Sequence, residues 1–154
     1  MSYSDSIVIV CTIILSLSGI GATIFFAIRA QQNENNRMFK DLFTEFNLRY
    51  ERINDHLQRI TEAASKNPEL TAKDLSTEDR SMLEDWFNLC AEEYFWHRRG
   101  LIGKKIWKSW QSGMNYWYSY PIIKDAWQTE IASRNGKASF YLEKNEDFFK
   151  DKKK

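Results

Sequence analysis

The chain has 154 residues, with 22 Lys and Arg against 21 Asp and Glu and a formal charge of +1. So balanced a charge excludes a strong field that would steer nucleic acid or acidic substrates, and two cysteines, Cys11 and Cys90, are too few for a disulfide framework. Six Gly, two Pro, 15% aromatic residues and no alternating apolar-polar runs predict an all-α protein.

Residues 1–6 form a short N-terminus whose only charged side chain is Asp5. Residues 7–28 (IVIVCTIILSLSGIGATIFFAI) carry no charge at all. About 22 residues at about 1.5 Å each reach about 33 Å, close to the ~30 Å hydrocarbon thickness of a bilayer. The run predicts one transmembrane helix. A cleaved signal peptide would need a basic start, a shorter apolar core and a small-residue cleavage site. Every Lys and Arg lies after the run, beginning at Arg29. The positive-inside rule therefore predicts an extracytoplasmic N-terminus and a cytoplasmic C-terminal part. Thr12, Ser16, Gly19 and Thr23 form a small-residue stripe, continued by Ala27, that could pack membrane helices together.

Residues 29–37 are a polar juxtamembrane segment, rich in Asn, that either continues the helix or breaks it. Residues 38–64 predict a long amphipathic helix. Phe39, Phe43, Phe46, Tyr50, Ile53, Leu57 and Ile60, followed by Ala64, fall at alternating spacings of four and three, a heptad seam. Glu45–Arg49 and Asp55–Arg59 are favourable pairs on the opposite face. The seam has two readings: a dimeric coiled coil, or packing on the helices that follow. The early aromatics are bulky for a two-stranded core, which favours packing within the chain for part of it. Ala27 and Phe43 are sixteen positions apart, which at ~100° per residue sets the small stripe and the seam about 160° apart on one straight helix. The two faces then meet different partners unless the Asn-rich stretch interrupts the helix.

Residues 65–77 read as the main loop, with Asn67-Pro68 opposing helix. Residues 78–142 read as a small helical domain. Ser76 or Ser81 can cap its first helix, Ser81 with Glu84 giving the better box spacing. Leu83, Trp86, Phe87, Cys90, Tyr94 and Phe95 form the apolar stripe, and His97-Arg98-Arg99-Gly100 ends the helix. A further helix near 102–117 presents Ile106, Trp110, Met114 and Trp117. Pro121 opens a short one with Ile123, Trp127 and Ile131 on one face, and Asn135-Gly136 stops it. Residues 143–154 read as a charged tail, part of which, with Phe148 and Phe149, docks back on the core, while Asp151–Lys154 are expected to be disordered.

Few groups suggest chemistry. His56 and His97 stand on different helices, and Glu93 with His97 at i,i+4 reads as a helix-end histidine satisfied by a carboxylate. No HExxH, CxxC, GxSxG or phosphate-loop spacing occurs, so no catalytic residue, metal or cofactor is assigned. The most suggestive stretch is 96–117. It interleaves Arg98, Arg99, Lys104, Lys105 and Lys108 with Trp107 and other tryptophans, a composition that anionic headgroups or a partner protein attract. The alternative is that Trp110 and Trp117 belong to the core and the cations to a solvated surface. Nucleic acid binding is not expected.

The segment LEDWFNLCAEEYFWHRRGLIGKKIWKSWQSGMNYWYSYPIIKDAW, about a third of the chain, resembles a module of small bacterial membrane proteins of the domain-of-unknown-function type DUF4760. The resemblance lies in Leu83, Trp86 and Phe87, in the Arg99-Gly100 turn, and in Trp107, Trp110 and Trp127. It implies a shared fold and carries no catalytic assignment. Together these readings predict one N-terminal transmembrane helix, a long amphipathic helix and a small aromatic-rich cytoplasmic helical domain, in a single-pass protein of a bacterial inner membrane. The expected function is that of a non-enzymatic interaction or scaffold protein, with the lipid bilayer, a second copy of itself or another protein as partner. The alternative is an oligomeric membrane effector or regulator in bacterial stress or phage defence.

Overall fold

The computed structural model describes residues 3–132 and 136–149, apart from the side chains of Asp5, Ser6 and Val10. Asn135, expected to help stop the last helix, and Asp151–Lys154 lie outside the described residues. Within them the chain is helical: α1 (Tyr3–Lys66), α2 (Thr77–Arg98), α3 (Lys104–Tyr118) and α4 (Pro121–Ile131), with 3-10 turns at Ala72–Asp74 and Gly136–Phe140 and no strand. The chain divides into two units, residues 1–41 and 42–154.

The first unit is the N-terminal part of α1. Among the described residues it holds the one stretch long and apolar enough to cross a membrane, and none of that stretch is buried. The Asn-rich segment does not interrupt the helix. It contains neither Gly nor Pro, Gln31 Nε2 donates to Asn35 Oδ1 at 3.0 Å, and helix already nucleated on either side makes propagation through mediocre formers cheap.

The second unit is a helical core built by the C-terminal part of α1 and by α2, α3 and α4. Local signals set its boundaries. Ser76 caps α2, its Oγ accepting from the Asp79 N–H at 3.0 Å, whereas Ser81 lies inside the helix. The serine earlier in the chain wins because it also follows the Ala72–Asp74 turn, which is itself closed by Asp74 accepting from the Thr71 N–H and hydroxyl. At the other end Gly100 takes φ +80°, its N–H bonds the His97 carbonyl, and the Leu101 N–H bonds that of Trp96. This is the left-handed Schellman ending that the Arg-Gly pair predicts. Pro121 stands at the first turn of α4, where a missing N–H costs nothing.

Aromatic rings fill the core. Trp127 meets Phe87 at 5.0 Å and Phe148 at 4.9 Å between centroids, and Tyr118 stacks on Phe149 at 4.3 Å. Phe148 and Phe149 are both buried. The segment read as a charged tail from residue 143 is therefore part of the packed unit up to Phe149. Its polar residues are paired: Arg98 grips Glu146 at 2.6 and 2.7 Å, Lys137 Nζ reaches the Glu146 carbonyl at 2.6 Å, and the buried Trp127 Nε1 donates to Asp147 at 3.2 Å.

Candidate functional site

The groups singled out from sequence are distributed unevenly. In the first unit Thr12, Ser16, Ser18 and Thr23 each donate their hydroxyl to a carbonyl three or four residues back, at 2.8 to 2.9 Å. Such back-bonding leaves no unmet polar group on the helix face. Gly19 has open space around it. The stripe is thus smooth and exposed along this chain.

The seam of α1 splits. Phe46, Ile53, Leu57 and Ile60 are buried in the chain's own core, so these four cannot also form a seam with a second chain. Phe39 is half-buried, while Phe43 and Tyr50 remain 40% and 36% exposed. Phe43 stacks on Trp110 at 5.6 Å, and Tyr50 accepts a 2.9 Å hydrogen bond from Trp117 Nε1. The charged face also pairs differently from its i,i+4 pattern. Arg49 keeps Glu45 at 3.8 Å, but its close partner is Glu92 on α2, at 2.6 and 3.1 Å. Arg59 turns from Asp55 to Asp79 on α2, joined there by His56 at 3.3 Å.

The basic aromatic stretch does not act as one surface. Trp107, proposed as a contact, is only 8% exposed, with its indole flat on the His97 ring at 4.9 Å and beside Tyr94. Burial in the core removes it from any lipid or partner face. Arg98 is committed to Glu146, and the Arg99 guanidinium lies 4.9 Å from the Phe95 ring centre. Lys104, Lys105 and Lys108 are exposed on α3. His97 is satisfied by a carbonyl and not by Glu93: its Nδ1 donates to the Ile102 oxygen at 2.8 Å. The connection after α2 brings that carbonyl closer than any carboxylate. Among the described residues no group of three His, Cys, Asp or Glu side chains is placed to hold a metal ion.

A different feature is better built. A cavity of about 180 Å³ opens between α1, α2 and α3 of the second unit. Phe46 and Tyr50 come from α1, Trp86 and Glu93 from α2, and Trp110 and Met114 from α3. The walls are mainly aromatic and thioether surface, with Asn47 and Ser109 also on the lining, and Glu93 supplies the one carboxyl among them. Glu93 is 8% exposed. Among the described residues it makes no hydrogen bond or ion pair, because Arg49, the nearest cation to influence it, is held by Glu92. Burial is the main cause that pushes its pKa up to about 8, with Glu92 adding to the rise and Arg49 opposing it. At neutral pH the carboxyl is therefore mostly protonated. Cys90 also lines the cavity, and burial raises its thiol well above the ordinary range, so it is not a thiolate nucleophile.

Glu93, whose sequence position suggests a partner for His97, instead lines this cavity. It stands seven positions after Trp86 and three after Cys90, on the apolar stripe of α2. A carboxyl at a core position is the signal that could have found it. No family model, curated protein or solved structure matches the chain.

Proposed function

We propose that the protein is a single-pass membrane-anchored, non-enzymatic interaction protein, with its helical unit in the cytoplasm of a bacterial cell. The observation that carries this reading is the uncharged run of residues 7–28, displayed on a helix with no buried face. A soluble domain's core helix buries at least one stripe, and this one has none. The serine and threonine hydroxyls on that run are satisfied by the helix itself, as immersion in hydrocarbon demands. The orientation follows from the first cation being Arg29. The exposed aromatics Phe43, Tyr50 and Tyr116 on the second unit supply apolar surface for a partner or a second copy.

The effector reading draws less support. A polar pathway through an oligomer would need hydroxyls turned away from their own helix, and Thr12, Ser16 and Thr23 are occupied by backbone carbonyls. Two measurements test the proposal. Full-length protein should stay with membranes through alkaline carbonate washing, and a C-terminal phosphatase fusion should be inactive while a fluorescent-protein fusion glows. Release by carbonate without detergent ends the anchor reading, and an active phosphatase fusion reverses the orientation.

A further inference from the structure

We propose that the cavity between α1, α2 and α3 is a binding site for a methylated ammonium ion, held by the Glu93 carboxylate within walls formed by Phe46, Tyr50, Trp86 and Trp110.

The chemistry of the walls selects the guest. Aromatic rings attract weakly hydrated organic cations through their quadrupoles, and the attraction grows when water is excluded. Met114 adds a polarisable sulfur. The lining offers no Lys, Arg or His, so an anion would find only the neutral donors of Asn47, Tyr50 and Ser109 and would face the Glu93 carboxyl. A purely apolar guest would seal a carboxyl away from water with nothing to pair with it, which is costly. A cation supplies the missing partner. A metal ion needs three or four ligands, and this cavity offers one carboxyl. At about 180 Å³ the space lies below the roughly 300 Å³ at which pockets for drug-sized ligands begin, so a headgroup-sized ion is the right scale.

Binding is linked to a proton. The cation pairs with the ionised carboxylate, so the Glu93 proton is released to solvent as the ion enters. The charged and titratable groups around Glu93 are Arg49 and the Tyr50 phenol from α1 and Glu92 and Cys90 from α2, and the α3 lining residues Ser109, Trp110, Gly113 and Met114 add none. Arg49 is already neutralised by Glu92 at 2.6 Å. Glu93 therefore sets the pH response.

The test uses the full-length chain in dodecyl maltoside, with choline and tetramethylammonium as probes and tryptophan fluorescence as the readout. The uncharged isostere of choline, 3,3-dimethylbutan-1-ol, is the control. Both ammonium ions should bind saturably, and about twentyfold tighter at pH 8.5 than at pH 6.5, as expected for a carboxyl that ionises near pH 8. The alcohol should bind much more weakly at either pH. Glu93→Gln should lose the pH dependence and at least about tenfold of the affinity at pH 8.5. Trp110→Leu, which keeps the carboxyl, should weaken both ions while retaining the pH slope. The proposal is overturned if neither ion saturates, if the alcohol matches choline, or if Glu93→Gln, folded by circular dichroism, keeps the wild-type affinity and slope. Competition with phosphatidylcholine in mixed micelles separates two sources of the same ion. Displacement of choline by phosphatidylcholine but not by phosphatidylglycerol supports a lipid headgroup, and absence of displacement supports a free solute. Either result stands on prior ammonium binding, and this assay is independent of membrane anchoring.

Discussion

The side-chain amide of Gln111 donates to the backbone carbonyl of Phe148 at 3.0 Å, inside the core. One hydrogen bond thus fastens the last aromatic pair of the packed unit to the middle of α3. Leu at position 111 keeps the volume but takes that hydrogen bond from the carbonyl. An unmet buried carbonyl costs about 1–3 kcal/mol. Gln111→Leu should lower the denaturant midpoint by that amount with an unchanged m-value; a midpoint equal to wild type would show that the bond contributes nothing.

Phe148 should matter more than any surface residue near it. It is fully buried and touches Trp127 and Phe149. Phe148→Ala leaves a cavity and should cost about 3–5 kcal/mol. A stop codon after Leu142 removes both rings together with Glu146 and Asp147, and should abolish cooperative unfolding of the second unit. A cooperative transition in the truncated protein would mean that the core closes without them.

Glu93 makes stability fall as pH rises. Its folded pKa, about 8, lies above the ordinary carboxyl value, so the folded state holds a proton that the unfolded state has given up. The contribution is therefore fully present below the unfolded pKa and declines between about pH 4.5 and pH 8. Glu93→Gln cannot ionise. At pH 8 it should be more stable than wild type by roughly 2 kcal/mol or more, and at pH 5 the two should nearly coincide. Thermal melts at the two pH values check this, and a constant difference across them would assign the effect to packing.

Asp79 works in the opposite direction at the other end of the scale. Burial alone would raise its pKa, but hydrogen bonds from Arg59, Ser76 and His56 outweigh burial and hold it below the ordinary value. Its contribution is present above the unfolded pKa and is lost as pH falls through the folded one. Asp79→Asn should blunt the drop in Tm below pH 4. Ser76→Ala removes the α2 cap and should cost about 1 kcal/mol at neutral pH.

The apolar run can be probed by one charge. Leu17 sits midway along residues 7–28 and is exposed. Arg at that position raises the insertion cost by about 2.5–3.5 kcal/mol. Leu17→Arg should shift protein out of the carbonate-resistant membrane fraction, whereas Leu17→Phe should not. Equal retention of both variants would count against a spanning helix.

Much of the fold is written in short-range signals. Ser76, Gly100 and Pro121 each mark an end through chemistry contained within a few residues, and the heptad spacing locates Phe46, Ile53, Leu57 and Ile60 on one buried face. What was illegible depends on distant partners. Nothing local says that Arg59 prefers Asp79 to Asp55, that Trp107 lies under His97, or that α1 shares its seam with α3 through Phe43 and Trp110. The cavity was hidden for the same reason. Its walls come from three helices, and the sole local trace of it was an acid on an apolar stripe.

The place of Phe148 and Phe149 in the core also orders events during synthesis. Trp86 and Phe87 leave the ribosome long before Phe149, whose ring packs on both, exists. The apolar segment 7–28 has emerged earlier still. If that segment enters a bilayer as it emerges, it does so while Trp86 and Phe87 still lack the ring of Phe149 that packs on both.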